Sequence, residues 1–222
     1  MKSEPLSVER PRALLFDWDN TLVDSWATIH DALQQTLTVM GHAPWTLEES
    51  KARVRLSLRD SFPALFGARW EEARQVYLDA FLAIHLERLA ALPGAAELLE
   101  HLQGAEFYLG VVSNKTGPVL RREAERLGWS RYFGRLVGAT DAAADKPDPA
   151  PIRMALEGSG IAAGHDVWYV GDTAVDMECA LNAGCRPILI GPARPADVEF
   201  ASHPPHLAFD DCSGLFLHFQ TL

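Results

Sequence analysis

The chain has 222 residues, 48% of them hydrophobic, and a formal net charge of −10. That is enough apolar material for one large α/β unit, or for a core with a smaller insert, and it argues against disorder. The acidic balance argues against a nucleic-acid partner or an anionic membrane surface, because no basic excess exists to neutralise phosphates.

A small phosphorylated substrate needs only a local positive site. Lysine is confined to Lys2, Lys51, Lys115 and Lys146. The three cysteines, Cys179, Cys185 and Cys212, have neither CxxC spacing nor an even count, so they read as small buried hydrophobes in a reducing cytosol. The start, Met1 to Arg12, is polar with Pro5 and Pro11 and has no apolar centre for a signal peptide. No later run is long enough to span a membrane, so a cytoplasmic setting is expected.

The first predicted element is a buried strand, Ala13 to Phe16, ending in Asp17. From Asp24 to Leu92 the texture is helical. Trp26, Ile29, Leu33, Leu37 and Met40 recur at helical spacing, as do Ala73, Val76, Tyr77, Ala80, Phe81 and Ile84. Between them Ser57-Leu58-Arg59-Asp60 has the form of a capping box opening a helix with Leu58, Phe62, Leu65 and Phe66 on one face. Pro93-Gly94 marks the return.

Apolar runs then alternate with helical stretches. Strands are expected at 107–112, 135–139, 167–170 and 185–190, with a weaker one at 207–209. Helices are expected at 95–103, 118–127, 150–158 and 174–183. Such alternation predicts a parallel sheet carrying a helical insert of about seventy residues after its first strand. Open α/β sheets bind ligands at the carboxyl edge, where that insert can act as a lid.

The strand ends are chemically loaded. Asp17 and Asp19 follow the first strand, Ser113, Asn114 and Lys115 the second, Lys146 the third, and Asp172 and Asp176 the fourth. Four carboxylates gathered on one edge repel, and a hard divalent cation with oxygen ligands relieves this; magnesium fits. Lys146, Ser113 and Asn114 supply the cationic and donor groups that a phosphoryl group needs. One carboxylate can attack phosphorus while a second, two residues on, exchanges protons with the leaving oxygen and then with water.

In order, Asp17-Trp18-Asp19-Asn20-Thr21, Ser113-Asn114, Lys146-Pro147, and Gly171-Asp172-Thr173 with Asp176 resemble the four motifs of the haloacid dehalogenase-like hydrolases, in the phosphatase branch with a helical cap, phosphoglycolate phosphatase-like. The resemblance covers essentially the whole chain. It implies a three-layer Rossmann-like core (1–23 and 93–222) with a parallel sheet and an all-helical cap (24–92). It further implies Asp17 as nucleophile and magnesium ligand, and Asp19 as acid/base with its backbone carbonyl on the metal. Ser113, Asn114 and Lys146 would hold phosphate, Asp172 would bind Mg2+, Asp176 would lie in its inner or outer shell, and Thr21 would support the first loop.

Two departures stand out. Asn20 replaces the usual glycine, and asparagine tolerates left-handed backbone. The run Val54-Arg55-Leu56-Ser57-Leu58 lacks the glycine common in phosphoglycolate phosphatase-like caps. Among the basic cap residues Lys51, Arg53, Arg55 and Arg59, Arg59 is the candidate for recognising the far end of a substrate. His30, His42 and His85 read as structural or surface residues, and Trp26 and Trp45 as cap core.

The expected activity is hydrolysis of a small phosphate monoester through an aspartyl-phosphate, by a monomer or weak homodimer that binds no nucleic acid or membrane. Asp19 argues against a carbon-attacking dehalogenase and a phosphonate hydrolase. A sugar phosphomutase shares every motif, and a non-catalytic binding protein on this fold is the remaining alternative.

Overall fold

The computed structural model describes residues 10–221, so most of the polar start lies outside the described residues. Strand β1 (Ala13–Phe16) is wholly buried. It sits centrally because both its faces are apolar. Leu14 and Phe16 join one core, and Ala13 and Leu15 the other.

The chain leaves through β2 (Val23–Asp24) and enters four cap helices: α1 (Trp26–Met40), α2 (Leu47–Arg53), α3 (Leu58–Phe66) and α4 (Trp70–Arg88). It returns through β3 (Ala90–Ala91), which pairs antiparallel with β2. This two-stranded neck therefore sits at the edges of the predicted insert. The predicted periodicities hold at Leu33, Leu37, Phe62, Tyr77 and Phe81, which share one cap core, whereas Val76 and Ile84 lie outside it. Val119 of the catalytic core also joins that cluster.

One local expectation fails. Ser57 does not cap α3 through a backbone N–H; its hydroxyl donates instead to the Asp60 carboxylate at 2.9 Å. The short carboxylate competes for the hydroxyl, so the sequence pattern closes on itself. A true capping box occurs at Thr46 and Glu49 of α2, which the sequence reading passed over.

The core continues through α5 (Ala95–Gly104), β4 (Tyr108–Thr116), α6 (Gly117–Arg126), β5 (Arg135–Ala139), α7 (Ala150–Leu156), β6 (Val167–Gly171), α8 (Ala174–Asn182), β7 (Arg186–Ile190), β8 (Leu207–Phe209) and α9 (Cys212–Phe219). The six long-range strands are all parallel, in the order β5-β4-β1-β6-β7-β8. Helices α5, α6 and α9 cover one face, and α7 and α8 the other. The architecture is the expected three-layer α/β sandwich with a helical insert after β1.

Strand β4 runs past its predicted end, and its register with β5 shifts between Val112 and Thr116. The three cysteines are buried and unpaired. No helix among the described residues is long and apolar enough to cross a membrane.

Candidate active site

The first loop is held by its own backbone. Asn20 adopts φ 61°, the left-handed region expected for this position. Its side-chain oxygen accepts a hydrogen bond from Ser25 N at 3.2 Å, and its N–H donates to Val23 O at 2.7 Å. The tight turn this makes leaves Asp17 and Asp19 at the mouth of β1. The Thr21 hydroxyl donates to Asp172 at 3.3 Å, tying the first loop to the end of β6.

The neighbouring strand ends supply the rest. Lys146 Nζ is buried and lies 2.7 Å from both Asp17 and Asp176. Burial works against its charge, yet the two carboxylates outweigh it and hold the lysine above its ordinary value. Desolvation pushes the Asp17 carboxyl up to about 7. Lys146 opposes this rise, and Asp176 reinforces it. Asp172 also lies well above the ordinary carboxylate range, through burial first and then through Asp176 and Asp17.

Asp17, Asp172 and Asp176 each bring a carboxylate oxygen within 4.8 Å of the others. An all-oxygen donor set in which two carboxylates are driven toward protonation is what a hard divalent cation relieves, so the residues fit one. Asp176 is the least available of the three. Its oxygens accept hydrogen bonds from Lys146, the Tyr169 hydroxyl (3.2 Å), and both Thr173 N (3.0 Å) and Thr173 Oγ1 (2.7 Å). It is both the third helical residue of a capping box on α8 and the anchor of Lys146. Gly171 permits this approach, since a Cβ there would meet the Asp176 side chain at 2.4 Å.

A cleft between cap and core opens onto this cluster. Asp17, Asp19, Ser113, Lys146 and Asp172 line its core side. Ser113 Oγ accepts from Lys115 N at 3.2 Å, which leaves its own hydrogen free to donate into the cleft. Asn114 also lines the cleft, and its amide spans the main chain of Lys146. It accepts from Lys146 N at 3.1 Å and donates to Lys146 O at 3.3 Å. The expected phosphate donor thus also clamps the main chain of Lys146, with one amide hydrogen left over.

Asp19 has a partner that sequence reasoning left unassigned. Lys115 Nζ lies 2.8 Å from Asp19 and 2.9–3.0 Å from the Glu123 carboxylate. It also sits 4.6 Å from the ring centre of Phe81 in the cap. Burial opposes the charge of Lys115, but Asp19 and Glu123 more than compensate and raise its pKa. Glu123, 1% exposed, also receives hydrogen bonds from Trp18 Nε1 (2.7 Å) and faces His85 Nδ1 of the cap at 2.8 Å. The available signal was Glu123 sharing the apolar face of α6 with Val119 and Leu120.

Arg59 does not line this cleft. It pairs with the buried Asp145 through two nitrogens, at 2.7 and 2.8 Å, and lines a neighbouring surface depression. Arg55 does face the cleft, where it is paired with Glu199 of the core.

Residues 14–190 match the family model of the haloacid dehalogenase-like hydrolases. The chain belongs to that family. Among the relatives of this hydrolase is the phosphoglycolate phosphatase of Rhodospirillum rubrum, 32% identical over 219 residues, which cover 92% of this chain and 89% of the relative. The phosphoglycolate phosphatase of Psychrobacter arcticus is 28% identical, over 91% of this chain and 93% of its own. The structure of a Had-superfamily hydrolase from Ehrlichia chaffeensis is 29% identical, covers 96% of this chain and 98% of its own, and superposes with a TM-score of 0.66. A haloacid dehalogenase-like family protein from Streptococcus pneumoniae, 23% identical, shares the fold with a TM-score of 0.82 over 95% of this chain and 99% of its own. In this hydrolase all four family motifs lie at the ends of β1, β4, β5 and β6, beside the cleft.

Proposed function

We propose that the protein is a magnesium-dependent phosphatase acting on a small phosphate monoester through an aspartyl-phosphate on Asp17. The observation that carries this reading is the Asp17 carboxylate, fixed 2.7 Å from Lys146 at the floor of a cleft that Asp19 also faces. Phosphoglycolate, the ester in the relatives' names, falls within this class. A cytoplasmic setting belongs to the same reading.

Asp17 and Asp172, with the backbone carbonyl of Asp19, would hold Mg2+, and Asp176 would act from behind by holding Lys146. When bound, the cation offsets the negative charge that would otherwise keep an anionic carboxylate from an anionic phosphate. Lys146 and the Ser113 hydroxyl hold the phosphoryl oxygens and stabilise the charge they gain during transfer.

An Asp17 oxygen attacks phosphorus as the bond to the leaving oxygen breaks, and Asp19 gives that oxygen its proton. Asp19 then takes a proton from water as the water oxygen attacks the same phosphorus. Phosphate leaves, and Asp17 and Asp19 return to their starting states. Asp19 enters as the acid, is a carboxylate only between the two transfers, and is held in place by Lys115 throughout.

The test is phosphate release from an activated aryl phosphate with and without magnesium. Turnover that requires the metal and is abolished by Asp17→Asn is expected. Metal-independent turnover, or full activity in a correctly folded Asp17→Asn variant, contradicts the reading.

A further inference from the structure

The cap wall of the cleft is aliphatic and aromatic. Trp26, Val54, Leu56, Leu58 and Leu78 all line it, and all keep part of their surface exposed. Leu56 is 40% exposed, in the connection between α2 and α3. Surface left uncovered at the wall of a cleft is surface that a ligand can remove from water.

The charged groups point to the same kind of ligand. Every lysine and arginine lining the cleft already has an acidic partner. Lys146 is bound to Asp17 and Asp176, and Lys115 to Asp19 and Glu123. Arg55 is bound to Glu199, and Arg59, outside the cleft, to Asp145. On the cap side a substrate carboxylate would share Arg55 with Glu199 rather than meet an unpaired cation.

We infer that the cleft selects phosphate monoesters of apolar alcohols, alkyl or arylalkyl, over esters whose leaving group carries a carboxylate. This rests on the phosphatase reading and specifies its substrate class. The phosphoryl group sits against Lys146 and Ser113, and the hydrocarbon extends beneath Leu56, Leu58 and Leu78.

The experiment compares methyl, propyl, isobutyl and benzyl phosphate with phosphoglycolate, under saturating magnesium. Isobutyl phosphate has the same heavy-atom connectivity as phosphoglycolate, with two methyl groups where the latter has carboxylate oxygens. The expected kcat/KM rises roughly fourfold per buried methylene, the factor corresponding to ~0.8 kcal/mol each. Isobutyl phosphate should exceed phosphoglycolate by about tenfold or more. Leu56→Ser should reduce the preference for isobutyl over methyl phosphate.

A flat series, or phosphoglycolate above isobutyl phosphate, overturns the inference while leaving the phosphatase reading intact. The matching alkylphosphonates, titrated calorimetrically, separate the two claims. Binding that strengthens with chain length, without turnover of any ester, supports the cleft's preference and refutes the phosphatase reading. Binding that ignores chain length refutes the preference.

Discussion

Lys115→Met removes the cation from the buried cluster that joins cap, core and Asp19. The lysine side chain is 5% exposed, and that of its partner Glu123 is 1% exposed. Removing one member of a buried ion pair typically costs about 3–5 kcal/mol, because the other charge is left without compensation. Two groups soften the loss here. Trp18 Nε1 still donates to Glu123 at 2.7 Å, and His85 Nδ1 still faces it at 2.8 Å. The expected loss is therefore at the low end, about 3 kcal/mol. Urea unfolding at neutral pH measures it.

Glu123→Gln in the same background separates the ion pair from lost packing. The double variant no longer buries an unpaired carboxylate, so it should lose less than the sum of the two singles by at least about 1 kcal/mol. A Lys115→Met loss below about 0.5 kcal/mol, or strict additivity in the cycle, would refute the role given to this cluster.

Two other outcomes follow from the same physics. Without metal, the Asp17 carboxyl is raised in the folded protein from an ordinary 3.8 to about 7. The folded state then holds a proton that the unfolded state has lost. This contribution to stability is complete below about pH 4 and disappears as pH rises through about 7. At 1.36 kcal/mol per pH unit the interval is worth at most on the order of 4 kcal/mol, and Asp17→Asn should flatten that decline in metal-free urea titrations. A metal-free profile equally steep in the variant would assign the slope to other groups. Arg59→Ala leaves the buried Asp145 with the backbone N–H of Thr140 at 2.9 Å, and stability should fall by about 2–3 kcal/mol. KM for a small phosphate ester should change less than about threefold; a tenfold rise with kcat intact would restore Arg59 as a substrate contact.

The parallel strands were legible because each is buried on both faces and so reads as a continuous apolar run ending in a polar residue. Asn20 was legible because few residues take the left-handed turn that glycine usually makes there. Asp17, Lys146 and Asp172 come together as the order of strand ends requires. The roles of Asn114 and Arg59 were not legible. Each has the chemistry to bind an anion, but each is also engaged by a partner from another element, Lys146 and Asp145. Glu123 was missed for a related reason. A carboxylate on a core-facing helix position signals a buried partner, but its partners Trp18, His85 and Lys115 come from three separate segments.

Trapping the covalent intermediate tests the central claim most directly. Enzyme quenched in acid during turnover of a phosphate ester, then reduced with borohydride, is mapped by peptide mass spectrometry. Conversion of an aspartyl-phosphate to homoserine at position 17, dependent on both ester and magnesium, is the predicted result. Sustained turnover with position 17 unmodified, or with the modification at another carboxylate, would contradict the assignment of Asp17 as the nucleophile.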